Sequence, residues 1–191
     1  MLEDLVRQNR SCRRFEQQVP VGLDTLRSLV DLARLSASGA NLQPLKYILV
    51  TDRDACAEIS PQLGWAAYLK DWPGPAEGER PAAYILILGD REIRKEFGVD
   101  PGIAAQSIML GAAELGLGGC MIASINRQAL RASLSIPEHL EILLCLALGK
   151  PQETVVIEPV GRDGDIRYYR DADGVHHVPK RSLDKLIWKS I

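Results

Sequence analysis

A chain of 191 residues is long enough to bury a real core and is expected to form one domain over residues 1–191. Its 46% hydrophobic and 25% charged residues and net charge of -2 are ordinary for a globular protein and argue against nucleic-acid or anionic-membrane partners. The opening Met1-Leu2-Glu3-Asp4 lacks a secretory leader's charged-then-apolar layout, and apolar runs such as 82–88 are too short to span a bilayer, so a cytoplasmic location is expected.

In chain order, residues 2–9 are a short helix candidate. Leu23, Leu26, Val30 and Ala33 recur at three- and four-residue spacing, which predicts an amphipathic helix over 23–35. Residues 47–50 read as a strand and 54–69 as helical in part, followed by the Pro- and Gly-rich loop 71–75. The continuous apolar run 84–88 predicts a strand covered on both faces. Residues 101–115 predict a helix with Pro101 in its first turn and little polar face, and a second subunit is one way to cover such a helix. Two more strands are expected at 121–123 and 142–148. Asp171-Ala172-Asp173-Gly174 is a hairpin turn between 167–170 and 175–178, and a last short helix is expected within 182–188. Because strands and helices alternate only loosely, an α+β sandwich is expected, one sheet with helices on both sides.

The four cysteines lie far apart, so nothing supports zinc or iron–sulfur ligation. His176 and His177 are adjacent on a presumed strand and point to opposite faces, which argues against a shared metal. Gly116-Leu117-Gly118-Gly119 follows a helix instead of a strand, the wrong context for a dinucleotide-binding turn; Gly116 is better read as a left-handed helix cap. Taken singly, Arg10, Arg13 and Arg14 read as a solvated face, and Ser38, Asn41 and Gln43 as a polar turn closed by Pro44. Together with Lys180 and Arg181 they form an inventory of cations, hydroxyls and amides suited to a phosphorylated heterocycle.

At this point a family resemblance emerges. Arg10-Ser11-Cys12-Arg13-Arg14-Phe15 resembles the opening of nitroreductase-family flavoproteins. Ser36-Ala37-Ser38-Gly39-Ala40-Asn41-Leu42-Gln43-Pro44 resembles their Pro-Ser-x-x-Asn-x-Gln-Pro turn, and residues 104–118 their central helix ending in Gly-Leu-Gly. The stretches 146–149 and 178–183 match as well. Ala37 and Leu45 depart from the usual Pro and Trp, at positions concerned with packing.

The resemblance implies an α+β, nitroreductase-like three-layer sandwich with a mixed, mostly antiparallel sheet, an intertwined homodimer, and FMN bound at the subunit interface. By the same resemblance, Arg10, Ser11 and Lys180 or Arg181 would hold the phosphate. Arg13, Ser38, Asn41 and Gln43 would serve the ribityl chain and pyrimidine edge. Gly118, Met121, Ile122 and Ala123 would pass along the ring through backbone contacts. The implied activity is ping-pong hydride transfer from NADH or NADPH to a nitroaromatic, quinone or similar flat acceptor. The cofactor would supply the chemistry, so no side chain is named as acid or base.

Residues 62–80 would form a substrate lid in which Trp65, Tyr68 and Trp72 either stack on the acceptor or pack locally. Residues 179–191 would be a tail reaching the partner subunit. Two alternatives stand beside this reading. One is a specialised relative, a reductive dehalogenase or flavin-fragmenting enzyme, although Tyr68, Lys70 and Glu77 occur in a different order from the dehalogenase lid. The other is a flavin-binding sensor or store without turnover.

Overall fold

The computed structural model describes all residues from 1 to 191, and the chain divides into two compact units. The larger comprises Met1–Trp65 and Gly74–Gln152; the smaller comprises Ala66–Pro73 and Glu153–Ile191.

The larger unit is organised by its most apolar strand. β2 (Ala83–Asp90) has all eight residues buried, as the apolar run 84–88 predicts. It pairs antiparallel with β1 (Leu45–Val50) and with β4 (Leu140–Gly149), and β3 (Gly118–Ile122) completes the order β1-β2-β4-β3. The two-residue period of a strand sends alternate side chains to opposite faces. Ile85 and Ile87 pack with Leu26 and Leu29 of α2 (Leu23–Leu35) and with Ala105, Ile108 and Met109 of α4 (Asp100–Glu114). Tyr84, Leu86 and Leu88 pack with Cys56 and Ile59 of α3 (Arg53–Ile59) and Leu130 of α5 (Arg127–Ser133). Helices therefore cover both faces, in three layers. α1 (Leu2–Gln8) precedes them.

Local chemistry accounts for the ends of these elements. Asp52 caps α3 by accepting from Ala55 N at 2.9 Å, and Asn126 caps α5 by accepting from Ala129 N at 3.3 Å. α4 ends as its glycine predicts: Gly116 sits at φ 70°, its N–H reaches Ala113 O, and Leu117 N reaches Ala112 O at 2.8 Å. The next strand starts earlier than 121–123, at Gly118, and leaves Ala123 outside it. Gly119 permits that start, because a Cβ there would lie 2.5 Å from Ala147 O.

α5 was not foreseen. It has seven residues and one buried side chain, Leu130, too few to show a period. Within a single chain α4 is not covered all round: Gln106 and Glu114 are exposed, and Ile103, Leu110 and Ala113 are half-buried. No helix is long and apolar enough to cross a membrane.

The strands are divided between two sheets, where one was expected. In the smaller unit β5 (Val155–Pro159), β6 (Tyr169–Arg170) and β7 (His176–Lys180) take the order β5-β7-β6. β5 runs parallel to β7 and was missed, because its five residues end in Pro159 and pair with a strand about twenty residues away. The predicted hairpin is present with a shorter first arm, β6 pairing antiparallel with β7. Its turn is fixed by Asp171, whose Oδ1 accepts from Asp173 N and Val175 N. α6 (Leu183–Leu186) follows, its leucines exposed.

Candidate functional site

In the larger unit the segment after α1 runs beside β3: Ser11 bridges Gly119 in parallel, and Cys12 N donates to Gly119 O at 2.9 Å. Phe15, fully buried, anchors the segment against Gly149. Upstream of that anchor, Arg10 is half-buried. One of its terminal nitrogens donates to Val6 O at 2.8 Å, while its Nε is buried with no protein partner. Burial also draws its pKa below the ordinary arginine value. A buried guanidinium N–H lacking an acceptor is costly unless an anion supplies one. Arg13 is buried and reaches Ser11 O at 3.4 Å, and Arg14 pairs with Glu79.

The turn after α2 is the second part. Ser36 leaves α2 tied to α4 by a hydroxyl–hydroxyl bond of 2.7 Å to Ser107. Ala40, Asn41 and Gln43 then hold φ of 51°, 56° and 51°, three non-glycine residues in the left-handed region within four positions. Such backbone costs about 1–3 kcal/mol per residue and persists only where its surroundings over-determine it. Here Asn41 N reaches Ser38 O, Leu42 N reaches Gly39 O, and Gln43 Nε2 donates to Asn41 O at 3.2 Å. The buried carboxylate of Asp100, in the first turn of α4, accepts the Ser38 hydroxyl at 2.6 Å and Gly39 N at 3.0 Å. The result is a preset turn whose Asn41 and Gln43 side chains are exposed. Ser38, Gln43, Tyr47 and Asp100 line a cavity of about 180 Å³. Burial, with Asp100 adding to it, raises the Tyr47 pKa.

The third part is β3. Gly118 is half-buried, Met121 exposed and Ile122 buried. Ala123 lies just past the strand, with its carbonyl accepting from Arg127 at 3.3 Å. Trp65 is half-buried in this unit and packs on Gly74, where a Cβ would fall 2.6 Å from the indole.

The remaining residues singled out from sequence belong to the smaller unit. Lys180 ends β7 and Arg181 follows it, both exposed. Tyr68 is exposed, 5.0 Å from the Tyr168 ring, and Trp72 lies under the Arg170 guanidinium at 4.3 Å. Arg170 also pairs with the inaccessible Glu153 carboxylate at 2.8 Å. On the exposed side of β7, His177 bonds Glu158 through Nδ1 at 2.9 Å and Asp171 through Nε2 at 3.0 Å, while stacking on Tyr169 at 4.7 Å. His176 is buried on the opposite face, as strand alternation predicts.

Sequence reading missed Asp100 and the carboxylates around His177. An acid before Pro101 reads only as a favourable first-turn charge, and the His177 partners are recruited from 6 and 19 residues away. The thiols offer no competing chemistry: all four cysteines are buried, and burial pushes the Cys56 thiol up to about 11.

Comparison with known proteins assigns the chain to a family. The family model described as "Nitroreductase family" matches residues 6–150. The NADPH-flavin oxidoreductase of Vibrio harveyi is 25% identical over 168 residues, covering 79% of this chain and 66%, just under two thirds, of that protein. A solved structure titled FMN-dependent nitroreductase, from Clostridium difficile R20291, is 24% identical with a TM-score of 0.64, covering 88% of this chain and 92% of that one. A nitroreductase family protein from Streptococcus pneumoniae matches over the whole of both chains, with a TM-score of 0.71 at 15% identity.

Proposed function

Since the chain belongs to the nitroreductase family of oxidoreductases, we propose that it is an FMN-dependent NAD(P)H oxidoreductase whose acceptor is a nitroaromatic, a quinone or a similar flat molecule. The observation that carries this reading is the buried, partnerless Nε of Arg10, a cationic donor that a phosphate dianion would satisfy. When bound, FMN would supply two-electron redox chemistry between a nicotinamide donor and the acceptor.

The chain's own residues bind and orient. Arg10 and Ser11 hold the phosphate, and in the assembled homodimer Lys180 or Arg181 adds a further cation. The turn from Ser38 to Gln43, strained before any ligand arrives, presents its amides to the ribityl chain and pyrimidine edge without paying for ordering at the moment of binding. Arg13 places positive charge near that edge and so tunes the cofactor's electronics. The backbone from Gly118 to Ala123 would face the ring. The half-buried Ile103, Leu110 and Ala113 stripe of α4 supports a homodimer, because it is apolar surface one chain leaves accessible.

Residues 62–80 act as the lid over a shared donor and acceptor space, with Tyr68 as its accessible aromatic. The test is anaerobic reduction of the FMN-loaded protein. NADH or NADPH should bleach the yellow colour, and a nitroaromatic or quinone should restore it. Colour that persists with both nicotinamides would instead favour a flavin-binding module without turnover.

A further inference from the structure

Asp100 is 3% exposed, and both of its oxygens are engaged by the turn it faces. Oδ2 takes the Ser38 hydroxyl proton at 2.6 Å, and Oδ1 takes the Gly39 N–H at 3.0 Å. The Ser38 oxygen in turn accepts from Gln43 N at 3.0 Å. A hydroxyl has one proton and two acceptor positions. With the proton committed to Asp100 and one lone pair to Gln43, Ser38 has a single lone pair left to offer.

Resting on the FMN reading above, we propose that Asp100 is a positioning residue that sets the polarity of the Ser38 hydroxyl, so that the turn presents an acceptor and takes only a donor group of the cofactor. On FMN that donor is the ring imide N–H or a ribityl hydroxyl. A carboxylate suits this role because it accepts only. An amide in its place would keep one oxygen for the Gly39 N–H, which forbids the flipped orientation. It would then put an NH₂ against Ser38 and turn the serine proton outward. The near-isosteric change therefore reverses the hydrogen-bond direction at Ser38 while keeping the turn.

The experiment titrates apoprotein with FMN, following flavin fluorescence. Asp100→Asn should bind FMN about tenfold more weakly than the wild type, the scale of one misdirected neutral hydrogen bond. The amide exchange of Gly39 should stay at the wild-type value, because the amide oxygen keeps that bond. Ser38→Ala should also weaken binding. Adding it to Asp100→Asn should cost nothing further, because the wrongly pointed proton is then removed. If Asp100→Asn does not fold, Ser38→Thr against Ser38→Ala tests the acceptor that the proposal requires: Thr keeps the hydroxyl and its affinity, and Ala loses it.

FMN methylated at the imide nitrogen distinguishes the two donors. An Asp100→Asn penalty that vanishes with this analogue assigns the imide, and one that persists assigns a ribityl hydroxyl. Wild-type affinity in Asp100→Asn, or in Ser38→Ala, would overturn the proposal and leave the FMN reading standing. A wild-type protein that binds no FMN would overturn both.

Discussion

The two compact units of this chain are held by different physics. In the larger, β2 is buried along its whole length and faces apolar helices on both sides, so its stability comes from area removed from water. In the smaller, β5, β6 and β7 are short, and charged side chains fasten them: Arg170 to Glu153, and His177 to both Glu158 and Asp171. Apolar burial has no titration, whereas an imidazolium between two carboxylates does. The difference makes the smaller unit the place where pH can act.

Several substitutions sharpen this contrast. Arg170→Met should have the largest effect, destabilising the smaller unit by about 4 kcal/mol, because it leaves the inaccessible Glu153 carboxylate without this cation. Hydrogen exchange should report the loss as faster exchange in β5 and β7. Ile85→Ala, at a fully buried position of β2, should cost the larger unit about 3 kcal/mol by urea unfolding, a loss that does not change with pH near neutrality. An Ile85→Ala penalty that varied strongly between pH 5 and 9 would break the contrast.

The smallest effect is the pH response itself. Hydrogen bonds to Asp171, then to Glu158, raise the His177 pKa above its ordinary 6.5. The folded form thus gains from protonation, and that contribution is complete below about 6.5 and fades as pH rises through the elevated value. Asp171 behaves in the opposite sense. Its pKa is lowered, chiefly by His177, so its contribution is present above the ordinary carboxylate value and lost as pH falls through the depressed one. Protection of the β7 amides, taken as exchange relative to the intrinsic rate at each pH, should therefore be greatest in mildly acid solution and fall on the alkaline side. His177→Gln should flatten the alkaline limb; a limb unchanged in His177→Gln would assign it to another group.

How much was legible in the sequence follows the same division. Elements of the larger unit declare themselves through long apolar periods: α2 runs over the expected residues, and the run 84–88 is the centre of a fully buried strand. The capping glycine Gly116 was readable because its left-handed backbone needs no tertiary context. α5 and β5 were not readable, since seven or five residues with few buried side chains carry no period. At the candidate site, Arg10, Ser38, Asn41 and Gln43 stood out as types in a pattern. Asp100 did not, because its role depends on α4 bringing it to within 2.6 Å of a serine 62 residues earlier.

Arg10, half-buried with its Nε fully so, is the cation proposed to meet a flavin phosphate. The most direct measurement compares FMN with riboflavin, which lacks the phosphate, on wild-type protein and on Arg10→Ala. The wild type should prefer FMN, and Arg10→Ala should lose about thirtyfold in FMN affinity, about 2 kcal/mol, while riboflavin binding barely changes. Equal losses for both ligands, or no loss for FMN, would contradict it.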